Sequence, residues 1–166
     1  FNPRALITGA ASVGFRRFEP RSPLLEPFRG IVVRTALEYA IGDSTRFAFA
    51  ADRDVNYSYE PLQPYFVVDG YGLTVRRHLA GKVDVTAGGQ RYTYAYRDLL
   101  LPGAVSGDRT RVDTTDVWSA GIGYRLGQSA RVGVGAAYRV RQSNSSRFRD
   151  YEGLRFGTTI EYGVQP

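Results

Sequence analysis

The sequence contains no cysteine and no methionine, and it has one histidine, His78, and one lysine, Lys82. Without cysteine there is no disulfide framework and no thiolate metal site. A single histidine leaves no histidine pair for a metal or catalytic centre. We therefore expect no metal, no other cofactor and no enzymatic activity. Because methionine is missing even at position 1, we expect a mature, processed or excised piece of chain.

Long hydrophobic runs are also missing. No stretch approaches the ~18 apolar residues of a membrane-spanning helix. Hydrophobic residues make up 43% of the 166-residue chain, and the mean hydropathy of −0.29 is that of a soluble protein by bulk average. A membrane β-barrel stays compatible with these values, because its lipid-facing residues alternate with polar ones and each segment gives a weak signal.

The net charge is +6, and every basic residue except Lys82 is arginine. A basic balance can indicate nucleic-acid binding. Here the arginines are spread singly along the chain instead of forming a basic tail or helix, so we expect no nucleic-acid partner. Arginine suits bidentate pairing with a carboxylate, and we interpret most of these residues as partners of nearby acidic side chains.

A period-two alternation of apolar and polar residues predicts β-strands. From Ile31 to Ile41 the odd positions form an apolar row, and the even positions include Arg34 and Glu38. The same pattern predicts eight strands, at 5–18, 30–41, 46–59, 65–79, 83–96, 111–126, 130–142 and 151–163. All eight prolines lie outside these ranges, as expected for residues that cannot donate to a strand ladder.

The predicted connections alternate between short and long. Short turns lie at 42–45, 80–82 and 127–129, and longer loops at 19–29, 60–64, 97–110 and 143–150. This rhythm is typical of outer-membrane barrels, which have short turns at one end and longer loops at the other. The sequence therefore predicts one all-β domain over residues 1–166, an antiparallel up-and-down transmembrane β-barrel or a segment of a larger barrel.

The composition of the two rows predicts which one faces lipid. Glycines such as Gly72, Gly123 and Gly133 lie on the charged rows, where they make room for long side chains inside a barrel. The predicted lumen-lining charged residues are Arg16, Arg34, Glu38, Arg46, Asp52, Asp54, Arg76, Asp84, Arg111, Asp113, Arg125, Arg131, Arg139, Arg141, Arg155 and Glu161. The predicted lipid-facing aromatic residues are Phe15, Tyr39, Phe47, Phe49, Tyr57, Tyr65, Trp118, Tyr124, Tyr138, Phe156 and Tyr162.

Two places break this pattern. Tyr92, Tyr94 and Tyr96 have the parity of the charged row, so either a bulge near Gly88 reverses the register or these tyrosines line the mouth of the lumen. Asp69 falls on the apolar row of the fourth strand. We expect it above the bilayer or against a neighbouring protein.

Four segments, Gly14–Phe18, Arg53–Glu60, Gly121–Gly127 and Arg149–Arg155, resemble the putative β-barrel porin 2 family. The resemblance extends over nearly the whole chain. It implies an outer-membrane protein of Gram-negative bacteria and, for some members, export of polysaccharide. Members of the family usually have more than eight strands, so the chain resembles the C-terminal portion of such a barrel.

The sequence is compatible with three functions. The first is a porin-like or polysaccharide-export pore in the bacterial outer membrane. The second is a non-conducting eight-stranded structural barrel whose long loops bind a partner. The third is a soluble ligand-binding barrel, which requires the two rows to face the opposite way. The expected partners are membrane lipid and other chains of an outer-membrane or envelope complex.

Overall fold

A computed structural model describes residues 6–42, 44–79, 81–99, 111–127, 129–145 and 149–163. It contains eight β-strands: β1 (Ile7–Phe18), β2 (Phe28–Ile41), β3 (Thr45–Glu60), β4 (Gln63–His78), β5 (Val83–Arg97), β6 (Val112–Leu126), β7 (Ala130–Ser143) and β8 (Tyr151–Tyr162). Each predicted strand is present. Within these described ranges, no helix is long and apolar enough to cross a membrane.

All eight strands form one antiparallel sheet in the order β1 to β8. Each strand pairs with the next along the chain, which confirms the up-and-down topology. The sheet is not closed, since no pairing joins β1 to β8 among the described residues. Tight turns at Gly42, Gly81 and Gly127 connect three of the hairpins. Each of these glycines has a positive φ, which side chains of other residues rarely tolerate.

The strands are staggered in the way that barrel closure requires. A line of hydrogen-bonded partners that begins at the first residue of β1 ends in the middle of β8. The line runs through Ile7, Tyr39, Phe47, Val75, Ala87, Ala120, Ala136 and Phe156. The sheet therefore has the oblique register of a barrel wall.

One predicted loop differs from the structure. The connection at 60–64 was expected to be long, but Glu60 pairs with Gln63 and only Pro61 and Leu62 lie between β3 and β4. Pro64 is consequently the second residue of β4, although every proline was predicted to lie outside the strands. The pairing register shifts between Tyr57 and Glu60, and an irregularity of this kind tolerates a residue without an N–H donor. The strict alternation of short and long connections is thus wrong at this position.

A small apolar core lies at the opposite end of the sheet from the glycine turns. The pairing of β2 with β3 stops at Val33 and Arg53. Beyond this point, buried side chains bring the hairpin of β1 and β2 against β3 and β4; they are Phe28, Val55, Tyr65 and Val67, with Phe18, Leu25 and Val32 packed against them. A β-bridge between Leu25 and Leu99 brings the segment that directly follows β5 to the same region.

Candidate functional site

Most of the charged strand side chains lie on the concave face of the sheet. We use this term for the even residues of β1 to β5 and the odd residues of β6 to β8, which share one face by register and alternation. Arg76 of β4 reaches Glu161 of β8 at 3.3 Å. These strands are four positions apart, about 19 Å in a flat sheet. The sheet must therefore curve toward its charged face.

A buried ionic cluster lies on the concave face near the glycine turns. Arg131 contacts Asp84 at 2.5 Å and Glu161 at 3.0 Å. Asp84 is fully buried, and the side chain of Arg131 is only 6% exposed. Nearby, Arg125 contacts the Nε2 atom of His78. Because buried charges are costly without partners, Arg131 holds together the strands that carry its two carboxylates.

A second ionic cluster lies toward the other end of the concave face. Asp113 is fully buried and accepts hydrogen bonds from Arg111 and Arg141. The guanidinium of Arg111 stacks 3.9 Å from the ring centroid of Tyr96, and that of Arg141 lies 5.5 Å from the ring of Tyr94. This cluster combines charge-assisted hydrogen bonds with cation–π contacts.

The remaining ion pairs of the concave face are more open to solvent. They join Arg16 to Asp54, Arg34 to Asp52 and Arg46 to Glu38. The Arg34 side chain is 77% exposed and lies 3.5 Å from Asp52. Such exposed pairs contribute little to stability. Among the described residues, no cluster of three or more histidine, aspartate and glutamate side chains could hold a metal ion.

The tyrosines of β5 lie on the concave face. No register shift interrupts the pairing of β5 with β4 or with β6. The bulge considered near Gly88 is therefore absent, and Tyr92, Tyr94 and Tyr96 project from the same side as Asp84. Gly70 lies opposite Tyr92, and a Cβ atom on that glycine would come within 2.7 Å of the tyrosine ring.

Small residues of the concave face make room for large ones, as the sequence predicted. A Cβ atom on Gly123 would overlap the guanidinium of Arg131. Alanine and glycine also form the floor of a cavity of about 630 Å³ between β2 and β5, with Ala36, Ala48, Ala50, Gly70 and Gly72 beside Arg34, Asp52 and Tyr92.

Replacement of Gly123 by alanine tests this packing. The added methyl group requires the Arg131 guanidinium to shift, which weakens its contacts with Asp84 and Glu161, so we expect the free energy of unfolding to fall by about 2 kcal/mol. Urea titration of the refolded protein measures this change. Gly157→Ala is the matched control, because its Cβ atom would meet nothing within 4 Å. Equal effects of the two substitutions would contradict the packing role of Gly123.

The opposite, convex face carries the aromatic residues that were predicted to face lipid. Phe15, Trp118, Phe156 and Tyr162 are 71%, 63%, 74% and 88% exposed, the exposure that contact with lipid would need. Tyr65 differs from the other predicted lipid-facing aromatics. It is 1% exposed, lies edge-on to Phe18, and its hydroxyl donates to the backbone oxygen of Glu26. The loop between β1 and β2 covers it, so the structure does not support lipid contact for Tyr65.

The convex face has an uncharged band next to the glycine turns. Within the described strand residues of this band, the only charged side chain is Arg77, one residue from the end of β4. The band extends about eight to ten residues along each strand, or roughly 30 Å. With a strand tilt of about 40°, this corresponds to roughly 23 Å along a barrel axis, close to the ~25 Å apolar band of outer-membrane barrels.

A belt of polar contacts borders this band on the side away from the glycine turns. Arg53 binds Asp69 at 2.8 Å, Arg91 binds Asp116 through two hydrogen bonds of 2.6 and 2.8 Å, and the hydroxyl of Tyr138 donates to Glu152 at 2.6 Å. Glu19 accepts from Arg17 and Arg29 at the hairpin of β1 and β2. Each of the four hairpins joined at this end thus supplies one polar contact.

The belt accounts for Asp69, the acidic residue that interrupts the apolar row of the fourth strand. Asp69 has an arginine partner on the neighbouring strand instead of standing alone. At Glu19, which lies outside the strands, the hydrogen bond from Arg17 lowers the pKa of the carboxyl group. Arg53, Arg91, Asp116 and Glu152 were not predicted as a set from the sequence. Their convex parity and similar distance from the glycine turns were readable from the sequence, but their pairing required the register.

The sixteen charged residues predicted to line a lumen lie on the concave side. The structure brings most of them into the ion pairs described above. Arg125, Arg139 and Arg155 have no carboxylate partner among the described residues, and of these three Arg125 contacts His78 instead. Whether this face meets water in a pore is not tested by the geometry of one open sheet, so the lumen assignment stays a prediction.

Comparison with known proteins gives one match. The family model described as putative beta-barrel porin 2 matches residues 1–162. No match was found among curated proteins, and no solved structure matches the chain.

Proposed function

Because this chain belongs to the putative beta-barrel porin 2 family, we propose that it forms the wall of an outer-membrane pore for hydrophilic solutes. In this proposal the convex face meets lipid and the concave face lines the water-filled lumen. Export of a polysaccharide is a narrower form of the same proposal, and family resemblance is its only support.

The observation that carries the proposal is the uncharged convex band with its polar belt. A soluble barrel has no reason to expose Trp118, Phe156 and Ile160 while it turns buried arginines inward. A membrane barrel requires both features, with a lipid-facing apolar band and a polar interior. The belt of Arg53–Asp69 and Arg91–Asp116 then lies where lipid tails give way to polar head groups.

The edge strands β1 and β8 need backbone hydrogen-bond partners if the sheet is to form a closed wall. In lipid, unpaired backbone groups are too costly for an open strand edge to persist. In a membrane β1 and β8 must therefore pair, either with each other or with further strands. Eight strands closed alone leave an interior filled by side chains, whereas a wider wall encloses an aqueous channel.

The non-conducting barrel remains a second candidate because of one contact. Arg76 of β4 reaches Glu161 of β8 across the concave face, and this tight curvature favours a narrow interior near the glycine turns. The two candidates differ in conductance. The pore predicts stepwise ionic currents, and the narrow barrel predicts none.

Reconstitution of the full chain into planar lipid bilayers tests the proposal. We expect stepwise current increases in potassium chloride and a protein that stays monodisperse only in detergent. Stable insertion without current would overturn the pore and favour the narrow structural barrel. A protein that is monodisperse without detergent would overturn membrane insertion itself and favour the soluble ligand-binding barrel.

A further inference from the structure

Two strand arginines on the concave face, Arg139 and Arg155, have neither an ion pair nor a side-chain hydrogen bond within the described part of the chain. In the register of β7 with β8, Arg139 lies opposite Gly153 and Arg155 lies opposite Ala137. The two arginines are therefore diagonal neighbours on one face, about 7–8 Å apart at the backbone. Both are exposed, and neither has a carboxylate within ion-pair distance among the described residues.

The neighbours of Arg139 explain why it lacks an acidic partner. On β6 it lies opposite Val117, flanked by Thr115 and Ser119, and on β8 it lies opposite Gly153, flanked by Tyr151 and Arg155. Both flanking strands are present, so the missing partner does not result from the open sheet edge. The hydroxyl groups of this set can donate hydrogen bonds, but none of the side chains carries a negative charge.

Arg155 lies on the edge strand β8, where an additional strand could supply an acid. β1, the other free edge, contains no aspartate or glutamate. Pairing of β8 with β1, from the same chain or from a second copy, therefore leaves Arg155 without a carboxylate from that strand. In either arrangement, β1 supplies no carboxylate to the two adjacent positive charges.

The surface around the two arginines is open. A Cβ atom on Gly153 or Gly157 would meet nothing within 4 Å. Guanidinium groups on such a floor can turn toward a shared ligand, and their planar donor geometry matches the oxygens of phosphate, sulfate and carboxylate groups.

We infer that Arg139 and Arg155 form a binding station for the oxyanion group of a solute that passes along the concave face. The inference rests on the proposed pore and adds the class of solute to it. The other strand arginines of this face are occupied by Asp54, Asp52, Glu38, Glu161, Asp84 and Asp113, or in the case of Arg125 by His78.

Ion selectivity of the reconstituted full chain is the first test. Reversal potentials in a potassium chloride gradient give the chloride-to-potassium permeability ratio. In Arg139→Gln/Arg155→Gln this ratio should fall at least about threefold, because two unit charges leave the lumen wall. The control Arg53→Gln/Arg77→Gln removes the same charge from the convex face and should change the ratio little, since salt screens charges beyond ~10 Å.

Binding of inorganic pyrophosphate is the second test, and it needs no current. Pyrophosphate should raise the unfolding temperature of the detergent-solubilised wild type relative to sodium chloride of equal ionic strength, and it should not do so in Arg139→Gln/Arg155→Gln. Sulfate and succinate measured in parallel distinguish phosphate, sulfate and carboxylate groups.

The possible results distinguish a failure of the oxyanion station from a failure of the proposed pore. Currents with an unchanged permeability ratio in the double variant would overturn the oxyanion station and leave the pore intact. If the wild type carries no current, the pore is wrong, and pyrophosphate binding alone then decides for or against the station.

Discussion

Substitution of Arg131 by methionine should lower the free energy of unfolding by about 3–5 kcal/mol, the usual cost of removing one partner of a buried ion pair. Asp84 is fully buried, and Arg131 is the cation that contacts it at 2.5 Å. Without the guanidinium, Asp84 stays buried without its partner. Glu161 loses one of its two arginines and keeps Arg76. Urea titration of the protein in detergent micelles measures the loss.

Two further variants make this result specific. Arg34→Met removes an arginine that is 77% exposed and only 3.5 Å from Asp52, so its cost should stay below about 1 kcal/mol. Arg131→Met/Asp84→Leu replaces both charges by apolar groups and should recover most of the stability. A loss below 1 kcal/mol for Arg131→Met, or no recovery in the double variant, would contradict the role of this cluster.

Substitution of Ala120 by arginine should destabilise the lipid-inserted protein by about 2–4 kcal/mol, the cost of a basic residue near the bilayer midplane on a lipid-facing position. Ala120 is exposed on the convex face, inside the uncharged band and between Asp116 of the polar belt and the end of β6. Unfolding in lipid vesicles, followed by tryptophan fluorescence of Trp118, measures the change.

Ala50→Arg is the matched control for Ala120→Arg. Ala50 is also exposed, but it lies on the concave face in the floor of the 630 Å³ cavity, where a long cationic side chain has room. We expect its effect to stay within about 1 kcal/mol. A larger penalty at Ala50 than at Ala120 would reverse the assignment of the two faces.

The strands were predictable because alternation is a local property of the sequence. Rows such as Ile31 to Ile41 identify both the strand and its two faces without knowledge of any partner. The parity of Tyr92, Tyr94 and Tyr96 was equally readable, and the choice between a bulge and a concave position depended only on whether the pairing register continued through Gly88.

Features that depend on contacts between distant segments were not predictable. Tyr65 has the parity of a lipid-facing residue, but the loop between β1 and β2 covers it. Its hydroxyl donates a hydrogen bond to the backbone oxygen of Glu26 in that loop. The contact of Arg76 with Glu161 joins two residues that are 85 positions apart in sequence. The tight connection at Pro61 and Leu62 was not predicted, because Pro64 was expected to lie outside the strands and β4 begins one residue before it.

The facing of the two rows can be measured most directly by spin labelling in lipid vesicles. The chain has no cysteine, so single cysteines placed one at a time from Phe47 to Ala51 each carry one label. The proposal predicts that positions 47, 49 and 51 collide preferentially with oxygen dissolved in lipid, and positions 48 and 50 with a water-soluble nickel complex. Preferential oxygen contact at positions 48 and 50, or equal exposure of all five labels to the nickel complex, would contradict a lipid-facing convex side.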